Sequence, residues 1–113
     1  MASLIYLASP YSHPSEAVRN YRYLNARKLV IEKLCEGIAI FSPIVYGHDM
    51  ETAIGTAYEP WQTLNDVMLE KCDEVWVLCD YDWQKSRGIR HEIDLAKKLE
   101  KPVKFFDLKG NQL

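Results

Sequence analysis

The five consecutive apolar residues VWVLC, at Val75–Cys79, are the clearest structural signal in this 113-residue chain. An uninterrupted apolar run of this length is typical of a β-strand that is covered on both faces, as strands of parallel sheets are. Shorter β-prone runs at Ser3–Ala8, Gly37–Ser42 and Val103–Phe106 predict three more strands. The chain therefore contains the strands of a small buried sheet.

Three segments with helical periodicity separate these strands. From about Ser15 to Glu36, apolar side chains recur every three or four residues, with Pro14 suited to the first turn and Gly37 to the position after the last. A second helix is predicted after Pro60, and a third carries its apolar side chains between Ile89 and Leu99.

The alternation of strands and helices predicts the fold class. Parallel strands joined by helices form an α/β, three-layer sandwich, here with a four- to five-stranded parallel sheet of the flavodoxin/Rossmann-like kind. We expect residues 1–113 to form one domain with the first strand in the centre of the sheet. Because ligands of such sheets bind beyond the carboxyl ends of the strands, the loops Ser9–Pro14 and Asp80–Arg87 are the expected site. The connection Pro43–Pro60 is long enough to be functional as well.

Composition and charge exclude several function classes. Fourteen Lys and Arg against sixteen Asp and Glu give a formal net charge of −2, so the basic surface of a nucleic-acid-polymer binder and a polybasic membrane signal are both missing. No apolar run approaches the ~20 residues of a membrane span, and the N-terminal residues lack the pattern of a signal peptide. We therefore expect a cytoplasmic protein with reduced cysteines, and the cysteine and histidine spacings predict no metal site.

The segment Ser86-Arg87-Gly88 opens the third predicted helix. Ser86 is suited to cap that helix, and Gly88 lets a ligand approach the backbone, so an anion could bind there beside Arg87. A plain helix cap with solvated arginines explains the same residues. Glu92, six residues after Ser86, is either a solvated helix residue or a carboxylate that faces the bound ligand.

Three stretches of the sequence together resemble a known family. They are Ser86-x-Gly88-x-x-x-Glu92-Ile93-x-x-Ala96 followed by Lys101-Pro102-Val103, the opening Ile5–Pro10, and Cys72–Leu78. They resemble the signatures of the nucleoside 2-deoxyribosyltransferase-like superfamily, which contains nucleoside deoxyribosyltransferases and N-glycosidases of deoxyribonucleoside 5′-monophosphates. The resemblance spans most of the chain.

The resemblance implies a role for several residues. Glu92 matches the nucleophile that forms a covalent glycosyl-enzyme intermediate, Tyr6 matches a tyrosine that orients it, and Asp66 matches an acid that contacts the base. The candidate substrate-binding residues are Ser9, Tyr11, Ser86, Gly88, Trp83 and Arg87. The resemblance implies that Tyr11 stacks on the base, and Trp83 either covers the pocket or only packs locally. The implied ligand is a nucleoside or nucleotide, no cofactor is needed, and the family suggests a homodimer or larger homo-oligomer.

The position of Ser86 refines the expected substrate. The nucleoside transferases are similar in carrying aspartate there, whereas the phosphate-using hydrolases are similar in carrying serine, which favours a 5′-monophosphate. The sequence also departs from the family: His91 replaces the usual glycine before the nucleophile, the first loop is not glycine-rich, and the tail lacks a terminal aromatic residue. A non-catalytic nucleotide-binding module therefore remains the alternative. A phosphoribohydrolase ranks below it, because its glycine-rich phosphate loop is missing.

Overall fold

The computed structural model describes residues 3–55 and 58–113 as an α/β fold around a four-stranded parallel sheet. The strands are β1 (Leu4–Ala8), β2 (Ala39–Phe41), β3 (Glu74–Leu78) and β4 (Val103–Phe106), in the order β2-β1-β3-β4. The predicted fold class and the inner position of β1 are confirmed. Because the chain leaves β1 for β2 on one side and later returns to β3 on the other, the strand order reverses between β1 and β3.

Helices cover both faces of the sheet. They are α1 (Glu16–Cys35), α2 (Pro43–Gly47), α3 (Glu51–Ile54), α4 (Tyr58–Lys71) and α5 (Arg87–Lys98). Alternate strand residues point to opposite faces. Ile5 and Leu7 therefore pack with α1, whereas Tyr6 and Ala8 belong to a second cluster with side chains of α4 and α5. These two clusters are the two helix–sheet interfaces of a three-layer sandwich.

The ends of α1 correct one expectation and confirm another. Ser15 is the N-cap and its Oγ accepts a hydrogen bond from the Val18 backbone nitrogen, at 3.3 Å. Pro14 therefore precedes the cap instead of lying in the first turn. Gly37 has φ +83°, the left-handed conformation expected just after a helix, where a side chain would be strained.

The connection after β2 contains more regular structure than its sequence suggests. Pro43 begins α2, capped by Ser42, and a 3₁₀ turn at His48–Met50 leads into α3. A Cβ atom on Gly47 would lie 2.9 Å from the Trp61 ring, so the absence of a side chain lets α2 lie directly against α4. Residues 56 and 57 of this predicted functional segment lie outside the described residues.

Two residues of the family motifs hold the sandwich together. Asp73 accepts a hydrogen bond from the Leu4 backbone nitrogen at 2.7 Å, which ties the start of β3 to the start of β1. Lys101 Nζ donates to the carbonyl oxygens of Glu70 and Cys72 at the end of α4. Both contacts lie at the amino ends of the strands, so these motif residues stabilise the fold at the end opposite the loops Ser9–Pro14 and Asp80–Arg87. In the described parts of the chain, no helix has the length and apolarity needed to cross a membrane.

Candidate functional site

A cavity of about 870 Å³ lies at the carboxyl ends of β1 and β3, where the strand order reverses. The structure brings most of the predicted site residues to its wall: Ser9, Tyr11, Asp66, Ser86, Arg87, Gly88 and Glu92. Its size suits a ligand as large as a nucleotide, since small-molecule sites usually enclose roughly 300–1,000 Å³. The two predicted loops do meet at one site.

Glu92 and Tyr6 form a buried pair at this cavity. Glu92 lies on the inner face of α5 between buried Ile89 and Ala96, and only 9% of it is exposed. Tyr6 is fully buried on β1, and its hydroxyl donates a hydrogen bond to Glu92 Oε2. The carboxyl group of Glu92 is therefore held at the cavity wall by the strand beneath it and is kept from bulk solvent.

Burial changes the ionisation of both members of the pair. Loss of hydration raises the pKa of Glu92 to about 8, and the negative charge of Asp66 acts in the same direction. The hydrogen bond from Tyr6 opposes this shift because it stabilises the carboxylate. The pKa of Tyr6 is raised, mainly by burial and then by the neighbouring Glu92. Tyr6 is thus a neutral hydrogen-bond donor across the physiological pH range.

The N-terminus of α5 forms another part of the wall. Ser86 is its N-cap and accepts a hydrogen bond from the Ile89 backbone nitrogen at 3.2 Å, as the sequence predicts. A Cβ atom on Gly88 would lie 3.8 Å from Ser86 Oγ and 4.0 Å from Glu92 Oε1. The space beside Gly88 therefore adjoins both the helix cap and the buried carboxyl group.

Basic side chains line the same cavity as this helix end. Arg87 lines the cavity as predicted, and Lys85 and Arg22 also line it although the sequence did not single them out. Arg22 reaches from α1 and donates a hydrogen bond to the Ser12 carbonyl oxygen at 2.9 Å. Unpaired helix amides and basic side chains together favour a bound anion.

Asp66 and His91 form a second pair, near the first one. Asp66 Oδ1 lies 2.8 Å from His91 Nε2, which links α4 to α5. Both side chains are about one-third exposed, at 35% and 36%. The sequence singled out His91 only as a departure from the family glycine, and its partner could not be inferred from that departure.

Aromatic side chains form another part of the cavity wall. The Tyr11 hydroxyl and His48 Nδ1 are 2.9 Å apart, and the His48 ring stacks on Tyr23 with a centroid distance of 3.9 Å. Trp61 also lines the cavity. Trp83, predicted to cover the pocket, is not among the lining residues and instead packs on Phe105 with a centroid distance of 5.5 Å. Trp61 therefore lines the cavity, whereas Trp83 packs locally.

Three side-chain oxygens of the lining residues are buried with no hydrogen-bond partner among the described residues: Ser9 Oγ, Glu51 Oε2 and Asn65 Oδ1. The other carboxylate oxygen of Glu51 is held by Arg19 Nε at 3.0 Å. Buried polar atoms are usually hydrogen-bonded, so these three oxygens are available for hydrogen bonds to a polar ligand. Within residues 3–55 and 58–113, no group of three or more His, Cys, Asp or Glu side chains is arranged to hold a metal ion.

One family model matches most of this chain. The model of the family described as "Domain of unknown function (DUF1937)" matches residues 3–108. No curated protein matches the chain at a significant level.

Two solved structures share the fold. A 2-deoxyribosyltransferase from the psychrotolerant bacterium Bacillus psychrosaccharolyticus, described as a biocatalyst for nucleoside synthesis, is similar with a TM-score of 0.55 and 22% identity, over 98% of this chain and 77% of that one. A 2-deoxyribosyltransferase from Leishmania mexicana gives 0.57 and 22%, over 93% of this chain and 64% of its own. This chain thus spans less than two-thirds of the Leishmania protein. At this identity the similarity establishes a common fold.

Proposed function

From the premise that this chain belongs to the DUF1937 family and has the fold of nucleoside 2-deoxyribosyltransferases, we propose that it cleaves N-glycosidic bonds. Its substrate is a deoxyribonucleoside 5′-monophosphate or a deoxyribonucleoside. The sugar is transferred first to Glu92 and then to water or to a second base. The observation that carries the proposal is the buried carboxyl group of Glu92, bonded to Tyr6 at the wall of the cavity.

The Tyr6–Glu92 pair supports covalent catalysis. The ionised carboxylate attacks the anomeric carbon while the base departs, and a second attack on the same carbon releases the sugar with retained configuration. Tyr6 holds one carboxylate oxygen, Oε2, and Oε1 lies toward Gly88 and the cavity. The hydrogen bond both orients the nucleophile and favours its ionised form.

The second carboxyl group supports departure of the base. A neutral base leaves more readily than an anion, so an acid at the base nitrogen lowers the barrier. Asp66 lines the same cavity on α4 and interacts electrostatically with Glu92. Its position on a different helix allows the two carboxyl groups to approach a substrate from different sides.

The α5 N-terminus supports a phosphorylated substrate. Ser86 and Gly88 lie at the helix end, and the basic side chains of Arg22, Lys85 and Arg87 line the same cavity. A carboxylate at position 86 would repel a 5′-phosphate, whereas a hydroxyl with backbone amides accommodates it. We therefore rank 5′-monophosphates above free nucleosides as substrates.

The direct test is an assay of base release. The purified chain is incubated with a panel of deoxyribonucleosides and their 5′-monophosphates, and free base is measured by chromatography. We expect release from at least one 5′-monophosphate at a higher kcat/KM than from the matching nucleoside. Mass spectrometry of the quenched reaction should place an added sugar or sugar phosphate on the peptide that contains Glu92. Complete absence of base release from the panel would refute the enzymatic proposal.

A second candidate is a non-catalytic nucleotide-binding module. The observation in its favour is the pKa of Glu92, which burial raises to about 8, so that at pH 7 the neutral acid predominates in the protein alone. Nucleotide binding by calorimetry, unchanged in Glu92→Gln and without any base release, would favour this candidate.

We further propose a homo-oligomer. Besides the family resemblance, four large apolar side chains of α1 are about half exposed: Tyr21, Leu24, Ile31 and Leu34. Light scattering at micromolar concentration should give at least twice the mass of one chain, and a mass of 13.1 kDa would contradict the proposal.

A further inference from the structure

The hydrogen-bonded pair of Asp66 and His91 suggests a role for a residue that the family resemblance leaves unassigned. Both side chains line the cavity, and the 2.8 Å contact joins Nε2 of the imidazole to Oδ1 of the carboxyl group. Each remains about one-third exposed, so the pair can exchange protons with solvent. His91 directly precedes Glu92 in the chain.

We propose that His91 supplies the proton that Asp66 delivers to the departing base; this inference rests on the proposed function. Imidazole gains and loses a proton near neutral pH more readily than any other side chain. His91 occupies Oδ1 of Asp66, and Oδ2 accepts no hydrogen bond from the described residues. One carboxylate oxygen therefore receives a proton while the other donates one.

The proposed step conserves protons and electrons. As the C1′–N bond breaks, its electron pair passes to the base nitrogen and a Glu92 carboxylate oxygen bonds to C1′. The base nitrogen takes the proton that Asp66 carries on Oδ2, while Oδ1 of Asp66 takes one from the imidazolium of His91. In the second half, the oxygen of water bonds to C1′, Glu92 leaves with the bonding pair, and the proton of water returns through Asp66 to His91. All three side chains then regain their initial states.

The groups around the pair suit this role. The titratable groups that interact with Asp66 are Tyr6 on β1 and Glu92 on α5. The charge of Asp66 raises the pKa of both Glu92 and Tyr6, so the two pairs interact. When Asp66 carries a proton, that charge is absent. The form of the pair that carries the proton is therefore also the form that favours an ionised nucleophile.

A simpler role for His91 is to tie α4 to α5. The substitution His91→Gln separates the two roles, because the amide can still donate a hydrogen bond to Asp66 but cannot release a proton. His91→Asn has a shorter side chain that does not extend to the position of Nε2, so it removes the contact with Asp66 as well as the proton. Asp94→Asn is the matched control, since Asp94 lies on the same helix, is exposed and does not line the cavity.

The experiment compares two kinds of leaving group. One substrate carries an unmodified base, and the other carries a base that leaves without protonation, either an N7-methylated purine or a pyrimidine with a strongly electron-withdrawing substituent. General acid catalysis contributes roughly 10²–10⁴-fold. We expect His91→Gln to lower kcat/KM for the unmodified base about 100-fold and for the activated base less than about 3-fold. Asp66→Asn should show the same pattern, and Asp94→Asn should match the wild type on both.

Several results would overturn this inference while leaving the proposed function intact. His91→Gln and His91→Asn could retain the wild-type rate on the unmodified base, or lose the same factor on both substrates with the fold intact by circular dichroism. Equal further losses when His91→Gln is added to Asp66→Asn would show that the two residues act independently. By contrast, a wild-type chain that releases no base from either substrate refutes the proposed function, and the relay with it.

Discussion

The carboxyl groups of Glu92 and Asp66 line the same cavity in opposite environments. Glu92 is 9% exposed and receives its hydrogen bond from the fully buried Tyr6 of the central sheet. The Asp66 side chain is 35% exposed, and its partner His91 is exposed to the same degree. One pair connects a strand to a helix, and the other connects two helices at the surface.

Under the proposed function, the two environments suit the two carboxyl groups to different steps: nucleophilic attack by Glu92 and proton transfer by Asp66. Burial raises the pKa of Glu92 to about 8 and removes the water that would compete with a sugar for its oxygens. Asp66 remains in contact with solvent and with a side chain that carries protons. A buried carboxylate such as that of Glu92 suits nucleophilic attack, and a solvent-exposed one such as that of Asp66 suits repeated proton transfer.

The largest expected effect is on turnover, and it tests whether Glu92 and Asp66 have different roles. Glu92→Gln keeps an acceptor for the Tyr6 hydroxyl but cannot form the covalent intermediate, so we expect kcat to fall by roughly 10³-fold or more on every substrate. Asp66→Asn should lose about 10²-fold, and only where the base needs a proton. Base release measured by chromatography decides between them. Equal losses in both variants on an activated base would contradict the division of tasks.

A smaller effect is expected from Tyr6→Phe. The variant removes the hydrogen bond that lowers the pKa of Glu92, so the carboxylate forms only at higher pH than in the wild type. We expect kcat/KM at pH 7 to fall by roughly 10-fold, in line with the loss of one charge-assisted hydrogen bond. The rising limb of its pH profile should move upward from about pH 8. If the rising limb of the profile does not move, Tyr6 does not influence the pKa of Glu92.

A further expected effect is on stability, and its sign depends on pH. In the unfolded chain Glu92 has a pKa near 4.5, and folding raises it to about 8. The folded state therefore binds the proton more tightly, and this contribution is complete below pH 4.5 and is lost as the pH rises to 8.

Urea denaturation at two pH values measures this contribution. Relative to wild type, Glu92→Gln should gain a few kcal/mol of unfolding free energy between pH 5 and pH 9, given about 1.4 kcal/mol per pKa unit. Asp66→Asn should change by less than about 1 kcal/mol over the same range, because solvent screens exposed charge pairs. An identical pH dependence in wild type and Glu92→Gln would contradict the raised pKa.

Local sequence patterns were sufficient for most of the fold. The apolar run at Val75–Cys79 predicts the buried strand β3, and the periodicity from Ser15 to Glu36 predicts α1 within a residue at each end. Periodicity does not predict the helical turns between Pro43 and Gly55. These short turns lack a clear period and are stabilised by contacts distant in sequence, such as Trp61 against Gly47.

The site was predictable in part. Motif positions led to the pairing of Glu92 with Tyr6, and the loop positions led to the cavity. The partnership of His91 with Asp66 and the place of Trp61 in the cavity wall were not predicted. Of the two roles that the sequence leaves open for Trp83, the structure shows local packing on Phe105. Each of these depends on how α4 and α5 pack, which periodicity does not specify.

The sequence by itself determined the order of strands and helices and the kinds of chemical groups available, because hydrophobic periodicity and motif spacing act over a few residues. Only the tertiary structure decided that Glu92 is buried and Asp66 is partly exposed, and which side chain each one contacts. The Tyr6–Glu92 hydrogen bond joins residues 86 positions apart. Its existence and the ionisation of Glu92 follow from the parallel sheet and from α5 lying on it, since hydration is lost only when distant segments come together.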